Sequence, residues 1–123
     1  MKKILLPLLF LSSTILISAQ QTENIQVIDV ATFKEAVVGK TVQLVDVRTP
    51  EEYNAGYIDN AINIDYFDQV KFKQAFKKLD KDKPVYVYCR SGSRSNMSAI
   101  ILKELGFTKL YDLDGGYIAW CNL

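Results

Sequence analysis

Val85-Tyr86-Val87-Tyr88-Cys89-Arg90-Ser91-Gly92-Ser93-Arg94-Ser95 runs four β-formers into a cysteine, then a small polar loop, then a helical pattern. Such a strand-loop-helix passage leaves several backbone N–H groups unpaired at the start of the helix, all aimed at whatever anion sits there. The anion nearest to hand is the sulfur of Cys89 in its ionised form. A helix N-terminus and neighbouring cations favour a thiolate, so Cys89 is expected to act as a nucleophile that needs no base.

The rest of the composition agrees with that expectation. The chain contains no histidine, which excludes Cys-His and Ser-His pairs and leaves activation to loop dipoles and arginines. Of 12 lysines and 3 arginines, two arginines, Arg90 and Arg94, fall within five residues of the cysteine. Planar guanidinium is therefore concentrated where an oxyanion can be gripped by two N–H groups at once. Ser91, Ser93 and Ser95 are read either as hydroxyl donors to a bound oxyanion or as caps of the following helix. With no histidine and no close cysteine pair, no metal site is expected, and no cofactor.

The loop Cys89-Arg90-Ser91-Gly92-Ser93-Arg94-Ser95 resembles the active-site loop of single-domain rhodaneses, the thiosulfate sulfurtransferase-like family. Two further stretches resemble the same family: Asp46 to Asn63, and Asp114-Gly115-Gly116-Tyr117-Ile118-Ala119-Trp120. The resemblance implies an α/β, rhodanese-like fold, a small parallel β-sheet with helices on both faces. It also implies that Cys89 carries a sulfane sulfur as a persulfide, with residues 90–95 binding the substrate. Phosphatases sharing this architecture have a loop one residue longer, so the shorter ring here fits a thiolate plus one sulfur better than a phosphate. Tyr57 stands where the family usually has histidine, a departure that bears on local packing rather than on chemistry. Only three residues follow Trp120, so the closing helix is expected to be weakly held.

At 123 residues, 49% hydrophobic and 24% charged, the chain suits one compact domain. Lys2-Lys3, the apolar run from Ile4 to Ile17 and Ser18-Ala19-Gln20 have the order of a signal peptide, with cleavage expected after Ala19. The domain division is then 1–19 signal peptide, 20–24 disordered segment, 25–123 rhodanese domain. The run is too short and too hydroxylated for a comfortable membrane span, so an exported, periplasmic or secreted protein without a stable membrane anchor is expected. After cleavage, 13 basic residues face 14 acidic ones, which gives no electrostatic reason to expect nucleic acid as a partner. The expected partners are a small sulfur-containing anion as donor and a thiol or cyanide as acceptor, and the expected state is a monomer.

Along the chain, strands are expected at Ile25 to Ile28, Val42 to Val47, Ala61 to Ile64, Val85 to Tyr88 and Leu110 to Leu113. Between them come a helix capped by Asp29 with Phe33, Ala36 and Val37 inward, and a capping box at Thr49-Pro50-Glu51-Glu52. Next are a helix burying Phe72, Ala75, Phe76 and Leu79, and one lined by Met97, Ile100, Ile101 and Leu105. Strands alternating with helices imply a parallel sheet whose site lies at the strands' carboxyl ends, where Cys89 falls. Arg48 is expected to pair with Glu52 or Asp46, and Gly115-Gly116 to make a turn. Cys121 is read as a half-buried thiol or as a disulfide partner of Cys89. Two other functions stay open at this point: a non-enzymatic module binding a persulfide or a partner protein, and a thiol redox protein using Cys89 and Cys121.

Overall fold

The structure, a computed structural model, describes residues 2–4 and 25–123. The expected cleavage site and the segment 20–24 lie outside the described residues. Five strands and five helices alternate: β1 Ile25–Ile28, α1 Val30–Val37, β2 Gln43–Asp46, α2 Pro50–Asn54, β3 Ile62–Asn63, α3 Gln69–Phe76, β4 Val85–Tyr88, α4 Ser93–Glu104, β5 Leu110–Leu113 and α5 Gly116–Cys121. The strands form one sheet in the order β1-β5-β4-β2-β3, every pairing parallel. β4 sits at its centre, in register Val45 to Val87 with β2 and Val87 to Asp112 with β5.

Alternate side chains of the strands feed two cores. On one face Val45, Val47, Val85, Val87 and Leu110 pack with Phe72 and Phe76 of α3 and Ala99 and Leu102 of α4. On the other, Leu44, Tyr88 and Leu113 pack with Phe33 and Val37 of α1, and Tyr117 and Trp120 of α5 lie against them. Helices thus cover both faces, as expected. Among the described residues no helix is long and apolar enough to cross a membrane.

The start signals in the sequence act as read. Asp29 accepts a hydrogen bond from the Thr32 N–H at 2.8 Å, and Thr49 and Glu52 close the capping box that opens α2. Three expectations need correction. The strands expected at Val42 to Val47 and Ala61 to Ile64 are shorter, Gln43–Asp46 and Ile62–Asn63, although Val47 and Ile64 still donate to the strand-end carbonyl oxygens of Tyr88 and Asp46. Leu79 lies beyond α3, in the turn that follows it, although it still packs on the core. The third concerns α4.

α4 buries Ser95, Ser98, Ala99 and Leu102, while Met97 is half exposed and Ile100 faces solvent. The expected line of Met97, Ile100, Ile101 and Leu105 is therefore rotated from the true inner face. Small residues at 95, 98 and 99 let the helix lie close on the sheet, and a bulky stripe there would hold it off. Ser98 satisfies its buried hydroxyl by donating to the Arg94 carbonyl oxygen at 2.7 Å. Close seating brings the first turn of α4 down over the end of β4.

Candidate active site

β4 ends at Tyr88, and the chain reaches the first turn of α4 through Cys89, Arg90, Ser91 and Gly92. Gly92 has φ +117°, a conformation that a side chain would strain, and it is the residue immediately before the helix. That turn points the Gly92 N–H at the Cys89 sulfur, which accepts its hydrogen bond at 3.1 Å. Of the ring of N–H groups expected from residues 90–95, this is the member that reaches the sulfur. Ser95, fully buried, sits on the other side: the Cys89 thiol donates to Ser95 Oγ at 3.4 Å, and Ser95 Oγ donates to the Gly92 carbonyl oxygen at 3.2 Å. Ser91 and Ser93 are exposed, and the helix has no side-chain cap.

Cys89 is 1% exposed and belongs to the core formed with Val47, Val87 and Ala99. Its environment is two-sided, since its sulfur meets the loop's N–H and the Ser95 hydroxyl. A purely apolar site would raise the energy of the anion, whereas an N–H aimed at the sulfur lowers it.

The two loop arginines differ. Arg90 is exposed, and among the described residues its guanidinium makes no ion pair. Arg94 is committed: Nη1 and Nη2 meet the Glu52 carboxylate at 2.7 and 3.0 Å, and the guanidinium lies over the Phe67 ring at 5.4 Å. The Arg94 hydrogen bond, with help from Thr49, holds the Glu52 carboxyl down at about 2. That same bond is the main reason Arg94 is held more firmly charged than usual, and the Cys89 sulfur adds to it. Arg94 is therefore a positioned cation shared between Glu52 and the loop rather than a free one. Glu52 also closes the capping box, so the start of α2 fixes an arginine 42 residues away.

Arg48 pairs with Asp46, at 2.6 Å from Nη2 to Oδ2, and donates to the Gly56 carbonyl oxygen. Glu52, its other expected partner, is taken by Arg94. The Arg48 guanidinium lies over the Tyr117 ring at 4.2 Å, which braces α5 against β2 from the face opposite α4. Tyr57, the family departure, stacks on Tyr53 with ring centroids 4.2 Å apart.

α5 is anchored to the loop itself. The Tyr117 and Ile118 N–H groups donate to the carbonyl oxygens of Cys89 and Arg90 at 2.8 and 3.1 Å. Gly116 has φ +59°, and a Cβ there would stand 2.6 Å from the Cys89 oxygen and from the Arg90 carbonyl. Gly115-Gly116 is thus a close-approach site as well as a turn, and the short closing helix is tied to the functional loop rather than loosely held. Cys121, at its end, is exposed rather than half-buried, and both thiols are free.

One group was missed by sequence reasoning. Asp112 of β5 is 2% exposed and lies on the face that α4 covers, and among the described residues its Oδ1 has no hydrogen-bond partner. Burial pushes its carboxyl up to about 6, against the side chains of Ser95 and Asn96, which favour the ionised form; Asp114 adds to the rise. The signal was an acid inside Leu-Tyr-Asp-Leu, a strand expected to be covered on both faces.

The geometry is that of a strand-end thiol held in an N–H-bearing loop of a small doubly covered parallel sheet, and comparison with known proteins agrees. The rhodanese-like domain family matches residues 14–123. The chain is 40% identical over 81 residues to the thiosulfate sulfurtransferase GlpE of Shewanella oneidensis, covering 66% of this chain and 77% of that protein. It is equally identical over 81 residues to the uncharacterized protein YqhL of Bacillus subtilis, of whose length it covers 62%. A rhodanese-related protein from Thermoplasma volcanium superposes with a TM-score of 0.68 at 32% identity, over 79% of this chain and 91% of that one. The chain belongs to the rhodanese-like domain family.

Proposed function

We propose that the protein is a sulfurtransferase that moves sulfane sulfur from a small anionic donor such as thiosulfate to a thiophilic acceptor, cyanide or a thiol. The observation that carries this reading is the Gly92 N–H donating to Cys89 Sγ at 3.1 Å, at the carboxyl end of the central strand. In the first half-reaction the Cys89 thiolate attacks the outer sulfur of thiosulfate. The sulfur–sulfur bond of the donor breaks, sulfite leaves with its electron pair, and Cys89 is left as a persulfide anion. In the second, the acceptor attacks the outer sulfur and Cys89 departs as thiolate.

The named activity of the Shewanella relative supports the donor. With Cys89 1% exposed, entry of the donor requires local opening of residues 90–94. Arg90, solvent-facing and unpaired, receives the donor's sulfonate, while Arg94 holds positive charge behind the sulfur. Lys2-Lys3, the apolar run and Ser18-Ala19 support export as part of the same reading. The monomeric state belongs to it too.

The test is steady-state thiocyanate production with thiosulfate and cyanide varied together. Parallel double-reciprocal lines, the pattern of a covalently loaded intermediate, are expected. Intersecting lines, or no thiocyanate, contradict the proposal.

A further inference from the structure

The loop that holds Cys89 is backed by a carboxyl group that the sulfur-transfer scheme does not use. Asp112 lies on the face of β5 that α4 covers, in register with Val87, two residues before Cys89 on the same face of the sheet. Ser95, fully buried in the first turn of α4 over this face of the sheet, accepts from the Cys89 thiol at 3.4 Å and donates to the Gly92 carbonyl oxygen at 3.2 Å. It therefore makes no hydrogen bond to Asp112 in this arrangement, although its side chain favours the ionised form of that carboxyl. Among the described residues Oδ1 of Asp112 is enclosed with no partner, although a buried carboxylate ordinarily finds several.

We infer that Asp112 is a positioning residue that accepts the Cys89 proton through the Ser95 hydroxyl. Cys89 passes its thiol proton to Ser95 Oγ as the Ser95 hydroxyl turns from the Gly92 carbonyl and passes its own proton to Asp112. The products are a thiolate and a neutral carboxylic acid; no electrons change hands, and the reverse transfer reprotonates Cys89 once sulfur has left. A chain without histidine thereby acquires a proton acceptor one hydroxyl away from its nucleophile.

The surroundings fit a group that changes charge. Burial raises its affinity for a proton and Asp114, just beyond the end of β5, raises it further. Ser95 and Asn96 of α4 favour ionisation. Cys89 is the titratable group reached from β4, and β1 presents Val27 opposite. Arg94 is turned to Glu52, and Lys103, further along α4, has a buried ammonium with no partner of its own. Among the described residues Asp112 makes no salt bridge. Its titration near 6 places the ionised, proton-accepting form at neutral pH and the spent form below.

The inference takes Cys89 as the nucleophile of the reading above, but its test needs no sulfur donor. The rate at which iodoacetamide modifies Cys89, read by peptide mass, is followed from about pH 5 to pH 8 in the wild type, Asp112→Asn and Ser95→Ala. In the wild type the rate bends downward as pH falls through about 6. Both variants, with folding checked by thermal melting, lose that bend and react about tenfold more slowly at neutral pH. Should Asp112→Asn not fold, Ser95→Ala alone decides. A bend and rate unchanged in the folded variants overturn the inference. A wild type that shows the bend yet makes no thiocyanate keeps the relay and removes the sulfurtransferase reading.

Discussion

Arg90 and Arg94 look alike in sequence and are unlike in space. Both were legible as cations beside the only plausible nucleophile, since arginine is scarce in this chain. The partner of Arg94 was not legible, because an ion pair spanning 42 residues leaves no periodic trace. The difference has a kinetic consequence. Arg90→Ala removes a solvent-facing charge that makes no ion pair among the described residues, so it should raise the KM for thiosulfate about tenfold, the worth of one charge-assisted hydrogen bond. The melting temperature should stay where it was. Initial rates over a thiosulfate range check this; an unchanged KM would place the donor elsewhere. Asp112 is the residue that spacing rules pass over. Its only mark was polarity at a position whose neighbours demanded hydrocarbon.

Elements were more legible than their faces. Each expected strand and helix among residues 25–123 exists, and the caps at Asp29 and Thr49 start their helices as read. The inner face of α4 was misread because hydrophobicity was taken as the sign of burial, whereas the helix buries serine and alanine to come close. α5 shows the same need for closeness. Its two hydrogen bonds to the carbonyls of Cys89 and Arg90 exist only because residue 116 has no side chain. Gly116→Ala should therefore destabilise the protein by about 3 kcal/mol through a strained left-handed backbone and the clash with the loop. Turnover should fall as well, since the displaced atoms belong to Cys89, the proposed sulfur carrier, and its neighbour Arg90. Denaturant midpoints and thiocyanate rates on the purified variant measure both, and wild-type stability would show that the loop gives way without strain.

At the scale of the molecule, parallel strands covered on both faces put the ends of β4 and β5 at one edge of a sealed core, and Asp112 is ionisable inside it. Its folded-state value of about 6 lies above the model-peptide value of 3.8, so the unfolded chain gives up this proton more readily. The associated stability is complete below about 3.8 and is lost as pH rises through about 6. Near neutrality, holding the carboxylate in the core costs about 3 kcal/mol. Asp112→Asn should melt higher than the wild type at neutral pH, and the gain should vanish below about pH 4. Glu52 runs the other way: held down at about 2 by Arg94, it stabilises the fold above its ordinary range and loses that effect as pH falls through about 2. A melting gain for Asp112→Asn that is flat with pH would mean that Asp112 is not the titrating group.

The proposed sulfur transfer runs through one atom, Cys89 Sγ, just past the end of the central strand. Intact mass before and after incubation with thiosulfate, on the wild type and on Cys89→Ser, tests it most directly. The wild type should gain the mass of one sulfur and lose it again on addition of cyanide, while Cys89→Ser gains nothing. A wild type that gains no sulfur, or a Cys89→Ser protein that gains as much, would contradict the account.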